Sequence, residues 1–451
     1  MEIEPTRPFL DPPRGFFSSL RYLGPGLILS AAIVGSGELI ATTTLGAKAG
    51  FAVLWVILLG CFLKIAVQLQ YGRHAIAHGQ ASFSAWNAGS GARLFGLHWS
   101  VWFGVVYLLG MLVGQGGVLG GAAQAAEYAF PNARPEVVAV GVTVALALLV
   151  FRGSYRHIEI LATVFNVLFV SVILFCIVVV QRTEYAFGLN DIASGFSLQV
   201  PPGALTLALT AFGITGLSAG EIFVYPSWCI EKGYAAWVGP RDGSPEWAAR
   251  ARGWMRVMRY DALVSMAVYT VATVAFYFLG AAVLQPQGAV VDGGNVVQQL
   301  SQIFTDVMGA GTMSLFMAGA FMVLFSTAFS NLAGHSRLWV DFLGVSRICD
   351  SSNEATRKRL LIILTWVMPV FWCLSYIAVQ KPIALVIVLG ITNSIFLLIV
   401  AYQALVFRYR YTDAALTPSK GFDAFLWLSV LSIGFMAARV AWITYLDTAG
   451  G

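Results

Sequence analysis

Long apolar runs separated by short polar stretches make up nearly the whole chain. Apolar stretches of bilayer-spanning length fall at 23–46, 51–71, 100–126, 136–151, 158–180, 203–230, 258–284, 310–340, 360–379, 383–407 and 423–446. The pattern predicts an all-α integral membrane protein with eleven transmembrane helices, several of them long enough to need tilt or a break. No polar stretch is long enough to form a separate soluble domain. The largest, 231–257, places Trp247, Arg250, Arg252 and Trp254 after a Gly/Pro-rich turn. Those spacings suit a short amphipathic helix at headgroup level or a plain connector.

Two of the runs are interrupted in the same way, 183 positions apart. Gly35-Ser36-Gly37-Glu38-Leu39-Ile40 and Ser218-Ala219-Gly220-Glu221-Ile222-Phe223 each set one carboxylate, preceded by glycine, near the middle of an uncharged segment. A carboxylate in hydrocarbon is costly and by default functional. Glycine beside it weakens the helix and frees backbone groups, which is tolerated only where the backbone lines a cavity. Interruptions at corresponding positions of two halves point to a transport site at mid-depth. The expected plan is therefore a five-plus-five inverted repeat. Its parts are a tail at 1–22, a first repeat at 23–180, a second at 203–407 and an appended helix at 423–446, with helices 1 and 6 broken at the glutamates.

Composition and charge then fix the class and the orientation. The chain is 58% hydrophobic and 11% charged, against about 25% charged for a typical soluble protein. Of its 27 lysines and arginines, only Lys48, Arg134, Arg182 and Lys381 fall in predicted outer loops, and Lys64 and Arg439 fall within runs. The other 21 lie on the opposite side, which predicts a cytoplasmic N-terminus and an outer C-terminus in the plasma (inner) membrane. The net charge of +5 follows that topology and forms no nucleic-acid patch. Residues 1–22 read as a Pro-rich tail rather than a cleavable signal. The five scattered cysteines form no disulfide framework or zinc motif, and no phosphate-cradling Gly-Lys-Ser/Thr loop is present. An enzyme, an ATP-driven pump and a resident cofactor are not expected. The expected partners are the bilayer and an inorganic cation, and the expected state is a monomer.

Further residues resemble a known family. Gly24-Pro25-Gly26, the interrupted first helix and the run Ser326-Thr327-Ala328-Phe329-Ser330-Asn331-Leu332-Ala333-Gly334-His335 look like the Nramp group of proton-coupled divalent-metal transporters, with similarity across all eleven helices. The resemblance implies an inverted-repeat fold with helices 1 and 6 unwound at the site. It also exposes departures. Family members carry Asp-Pro-Gly-Asn where this chain has Gly35, Ser36, Gly37 and Glu38, and Met-Pro-His where it has Ala219, Gly220 and Glu221. Acidic positions of the family's proton path match Gly114 and Gly117, and a helix-6 histidine matches Pro226.

Two roles fit each glutamate. Glu38 and Glu221 are cation ligands converging on one site, or they cap amides freed by the breaks, where a carboxylate is also favoured. As ligands they would be joined by the backbone and hydroxyls of Gly35, Ser36, Gly37, Ser218, Ala219 and Gly220. That oxygen-rich set suits Mg²⁺, Mn²⁺ or Ca²⁺ better than softer metals. Gln115, Tyr225, Asn331 and His335 are expected around it, with Tyr225 and Pro226 ending the unwound stretch. Three functions compete: a divalent-cation transporter with non-standard or absent proton coupling, a carrier of a small organic solute in a cavity enlarged by Gly35, Gly114, Gly117 and Gly220, and a non-transporting sensor.

Overall fold

The structure is a computed structural model, and its described residues are 9–35, 37–151, 154–202, 204–288, 312–351 and 353–449. It is almost wholly helical. The elements that position the site are α1 (Pro25–Ile33), α2 (Thr43–Ala49), α3 (Leu54–His78), α4 (Trp99–Glu127), α5 (Pro135–Val150) and α6 (Tyr155–Val180). There follow α7 (Leu205–Ile214), α8 (Ala219–Lys232), α9 (Pro245–Leu284), α10 (Thr312–Val345), α11 (Glu354–Val379), α12 (Pro382–Arg410) and α13 (Lys420–Ala449).

Among the described residues eight helices are long and apolar enough to cross a membrane. The number becomes nine if Phe16–Tyr22 and Pro25–Ile33, bent by 71°, count as one span. The runs at 23–46 and 203–230 fall outside that set because each is split into two helices. The helix at Pro135–Val150 falls outside because its 16 residues reach only about 24 Å. Large apolar side chains such as Val106, Val137, Val167, Ile395, Leu431 and Phe435 remain exposed on the outside of the bundle. An exposed apolar surface of this extent suits lipid, not water.

The core is built around α4, which packs on α12, α10 and α11. Its small residues allow this. A Cβ at Gly114 would lie 2.9 Å from the Leu389 side chain, at Gly116 2.7 Å from the Trp372 carbonyl and at Gly117 2.5 Å from the Pro382 carbonyl. These glycines are a close-packing face, in the manner of membrane helix interfaces. They do not enlarge a cavity, contrary to that part of the organic-solute expectation.

The segment 246–254 is not a separate amphipathic helix. It is the foot of α9 and runs straight into the apolar part of that helix. Trp247 and Trp254 are buried there, and the Trp254 indole donates to the Leu10 carbonyl at 2.9 Å while its ring meets Tyr22 edge-on at 5.3 Å. The N-terminal strap, not lipid, takes the aromatic face.

Candidate functional site

Both interruptions leave backbone groups that hydrocarbon cannot satisfy, and each group bonded in the structure has an identifiable partner. After α1, Val34 turns out of helical geometry (φ −72°, ψ 89°) and the chain re-enters through a π-helical turn at Gly37–Thr42. Thr327 of α10 donates to the freed carbonyls of Val34 at 3.1 Å and Ala31 at 3.4 Å. Gly35 must be glycine, because a Cβ there would overlap the Thr327 hydroxyl. Ser36 lies outside the described residues.

In the second break, α7 ends at Ile214 and α8 begins at Ala219. Gly216 bridges them with φ +64°, the left-handed region that favours glycine. Ser218 caps α8: its own amide donates to Glu221 Oε2 at 2.8 Å, its hydroxyl also bonds that oxygen, and it accepts from Gly220 N at 3.2 Å. This is a capping box. Asn393 of α12 accepts from Gly220 N at 3.4 Å.

Glu38 joins the two breaks. Its carboxylate, fully buried, accepts Gly35 N–H on one oxygen and Gly216 N–H on the other, each at 3.2 Å. The carboxylate of the first interruption therefore caps amides of both. Glu221 caps only its own helix and keeps 8% of its surface exposed.

The two glutamates line one cavity of about 60 Å³ with Gln115, Asn331 and His335. Ser218 and Gly216 also line it, whereas Ala219 is buried outside its lining and Gly220, whose N–H donates to the Ser218 hydroxyl, lines an adjoining pocket beside Glu221. Tyr225 does not reach it. That residue and Pro226 sit inside α8 rather than at the end of the unwound stretch, and the Tyr225 hydroxyl donates to Asp261 at 3.2 Å. Helix α8 tolerates Pro226 with help from Ser82, whose hydroxyl takes the Phe223 carbonyl at 2.5 Å in the turn the proline disturbs.

Several lining residues come from positions that sequence reasoning did not single out for the site. Tyr107 and Met111 of α4, Thr327 of α10 and Asn393 of α12 are among them. Tyr107 stacks on Phe396 at 4.3 Å and hydrogen-bonds His335 Nε2 at 3.2 Å. Gln115 Oε1 and His335 Nδ1 are buried without a protein partner, a state that a ligand or water in the cavity would relieve. Among the described residues no three His, Cys, Asp or Glu side chains form a ready-made metal cluster. A metal here would be held by two carboxylates, neutral oxygens and water.

The fit around α8 is tight enough to test. A Cβ at Gly220 would overlap the hydroxyl of Tyr107, which stacking and the His335 bond hold in place. Gly220→Ala is expected to cost about 1–3 kcal/mol as an overpacked core change, read as a fall in thermal unfolding temperature. Adding Tyr107→Phe removes the obstructing oxygen and should recover part of the loss. Additive losses in the double variant would disprove the contact.

Away from the cavity, the N-terminal end of α1 is clamped. Asp261 of α9, fully buried, accepts Gly24 N–H at 2.8 Å and Gly26 N–H at 2.6 Å. Lys232 donates to the Leu23 carbonyl at 2.8 Å and pairs with Glu159 at 2.6 Å. Helices α1, α6, α8 and α9 are thereby tied together at one end of the bundle, and charge-assisted bonds of this kind are the stronger ones.

Comparison with known proteins bears on the fold. No curated protein matches the chain by sequence. Among solved structures, a manganese transporter of Eremococcus coleocola superposes with a TM-score of 0.70 at 16% identity, covering 95% of this chain and 88% of that one. A nucleobase-cation-symport-1 family transporter with bromovinylhydantoin bound superposes with a TM-score of 0.57 at 14% identity, covering 94% and 93%. At such identities these likenesses establish the shared transporter fold. Residues 26–442 match the description of the natural resistance-associated macrophage protein-like group, and the chain belongs to that Nramp family of membrane metal-ion transporters.

Proposed function

We propose that the protein carries a small divalent cation across the plasma (inner) membrane by alternating access, with Glu38 and Glu221 as its charged ligands and magnesium or manganese as preferred cargo. The supporting observation is the meeting of two carboxylates, one from each broken helix, at one cavity of about 60 Å³. That space suits an ion with a few waters and falls below the roughly 300–1,000 Å³ of organic-ligand sites. The lining oxygens of Ser218, Asn331 and Asn393 extend a hard ligand set. The Met111 thioether and the His335 imidazole on the same wall are softer donors, and they favour manganese over calcium within it.

The organic-solute alternative requires room at the glycines, and Thr327, Tyr107, Leu389 and Pro382 take that room. The sensor alternative gives no reason for two carboxylates to face one cavity. We read the two breaks as equivalent points of inverted repeats at 23–180 and 203–407. With eleven spans and the Lys/Arg-rich side taken as cytoplasmic, this reading has the N-terminus inside and the C-terminus outside, and it takes the carrier to be a monomer without a cofactor. Gly114 and Gly117 carry no proton and are packed against α12, so coupling by the relatives' path is not expected. The cation moves on its own gradient and the membrane potential, or it exchanges with protons at the glutamates.

Uptake into proteoliposomes tests both parts. Manganese uptake should be competed by magnesium at comparable concentration and only weakly by cadmium or iron(II). A membrane potential alone should drive it, with about 4.6 kcal/mol available to two charges per 100 mV. Strong preference for cadmium or iron would overturn the hard-ion assignment. Uptake driven only by a pH gradient, and unchanged by Glu→Gln at both positions, would reveal another proton route.

A further inference from the structure

Lys64 lies midway along α3, at the junction between Leu54–Leu63 and Ile65–His78, and is fully buried. An ammonium taken out of water costs several kcal/mol unless its protons find acceptors. Lys64 Nζ donates to the Phe212 carbonyl at 2.9 Å and the Thr215 carbonyl at 2.7 Å, with the Phe212 ring centroid 5.6 Å away. Those carbonyls belong to the end of α7, which the break leaves without onward helical donors. A half-helix C-terminus with unwound carbonyls inside a transporter is the type of place that coordinates a small inorganic cation. Here the chain's own ammonium occupies it.

This ammonium is coupled to the candidate site through one peptide group. The Thr215 carbonyl and the Gly216 N–H are its two ends. Lys64 holds the carbonyl end, and Glu38 accepts the N–H end at 3.2 Å. Opposite charges therefore fix the plane of the peptide that links the two interruptions. The unwound turn lies flat on α3, since a Cβ at Gly60 would come within 3.2 Å of Thr215 Oγ1, and one at Gly216 within 3.1 Å of Cys61 Cα. Gly60 and Lys64, four residues apart, share that face of the helix. Thr215 Oγ1 is buried there without a hydrogen-bond partner, a spare oxygen beside the two carbonyls.

We propose that Lys64 is a tethered cation filling a latent monovalent-cation site made by the carbonyls of Phe212 and Thr215 and the hydroxyl of Thr215. It replaces a dissociable co-ion at the second break and positions the Gly216 N–H for Glu38. The inference does not depend on which solute is carried.

The test removes the ammonium and offers a soluble substitute. Purified wild-type protein should unfold at the same temperature in about 100 mM sodium, potassium, methylammonium or N-methylglucamine chloride. Lys64→Ala should unfold several degrees lower in N-methylglucamine, and sodium, potassium or methylammonium should restore several degrees by binding the folded state. Lys64→Met, which fills the space without the charge, should lose stability and gain nothing from small cations. Manganese uptake by Lys64→Ala should rise several-fold with the same rescuing ion, while wild-type uptake does not change. Should Lys64→Ala yield no folded protein, Lys64→Ser, which also leaves the space open, decides by the same melting comparison. Full stability of the alanine variant in N-methylglucamine, or a loss that no small cation reverses, would overturn the proposal. If wild type carries no manganese, the transport reading fails while the melting comparison still decides this one.

Discussion

Glu38→Gln is expected to reduce manganese uptake by about 10- to 100-fold. The carboxylate accepts one backbone N–H on each oxygen, from Gly35 and from Gly216. Glutamine can keep only one acceptor and turns its NH₂ group toward the other N–H. Each hydrogen bond to a charged group is worth about 1.5–3 kcal/mol, so losing one of the two in the barrier for loading the site corresponds to roughly one to two orders of magnitude. The thermal unfolding temperature should fall too, because the same bonds hold the two breaks together. Glu221→Gln separates the two roles. Its carboxylate caps only its own helix, a cap worth about 1 kcal/mol, so stability should fall less than for Glu38→Gln. As a cation ligand its loss should lower uptake almost as far. Near-normal uptake by Glu221→Gln would make that glutamate a cap and nothing more, and wild-type rates for Glu38→Gln would remove the site from this cavity.

Asp261→Asn should open the clamped end of the bundle. Asp261 serves Gly24 N and Gly26 N on separate oxygens and also receives the Tyr225 hydroxyl. Asparagine leaves one amide at the start of α1 without an acceptor, a loss of about 1.5–3 kcal/mol. That shifts an open-to-closed ratio by roughly 10- to 100-fold. Cys229 is a native reporter, fully buried on α8 one turn beyond Tyr225. Its reaction with a maleimide should accelerate at least about 10-fold in the variant. Unchanged labelling would show that the clamp does not control access from that end.

The parts of this architecture carried by local composition were legible beforehand. Apolar run length marked the eight long spans, and a glycine-flanked acid inside such a run marked each interruption to within a few residues. The groups that complete the site were not legible, because they arrive from distant segments. Thr327 caps carbonyls of a helix almost 300 positions earlier, and Lys64 reaches a turn about 150 positions later. A lysine inside an apolar run announces that it needs partners and does not name them. Pro226 misled in the opposite direction. Proline usually ends a helix, yet here a serine from another segment helps the helix continue. The Trp247–Trp254 stretch has the pattern of a membrane-surface helix, and only the strap at Leu10 and Tyr22 shows which apolar surface it covers.

The satisfied breaks bear on how the carrier resets. Thr327, Lys64, Ser218, Glu38, Glu221 and Asn393 between them take up backbone groups freed by both interruptions. Among the described residues, an unloaded site therefore leaves little of its main chain in need of cargo to complete it. On the proposed alternating-access reading, binding then supplies selectivity more than structural repair, and the empty protein is expected to cross between its two orientations without a large added barrier. A carrier of this kind is suited to net accumulation, in which it returns empty, rather than to obligatory one-for-one exchange. Cargo on the far side should accordingly speed the return only modestly, and initial uptake into vesicles holding no substrate should proceed at close to the full rate.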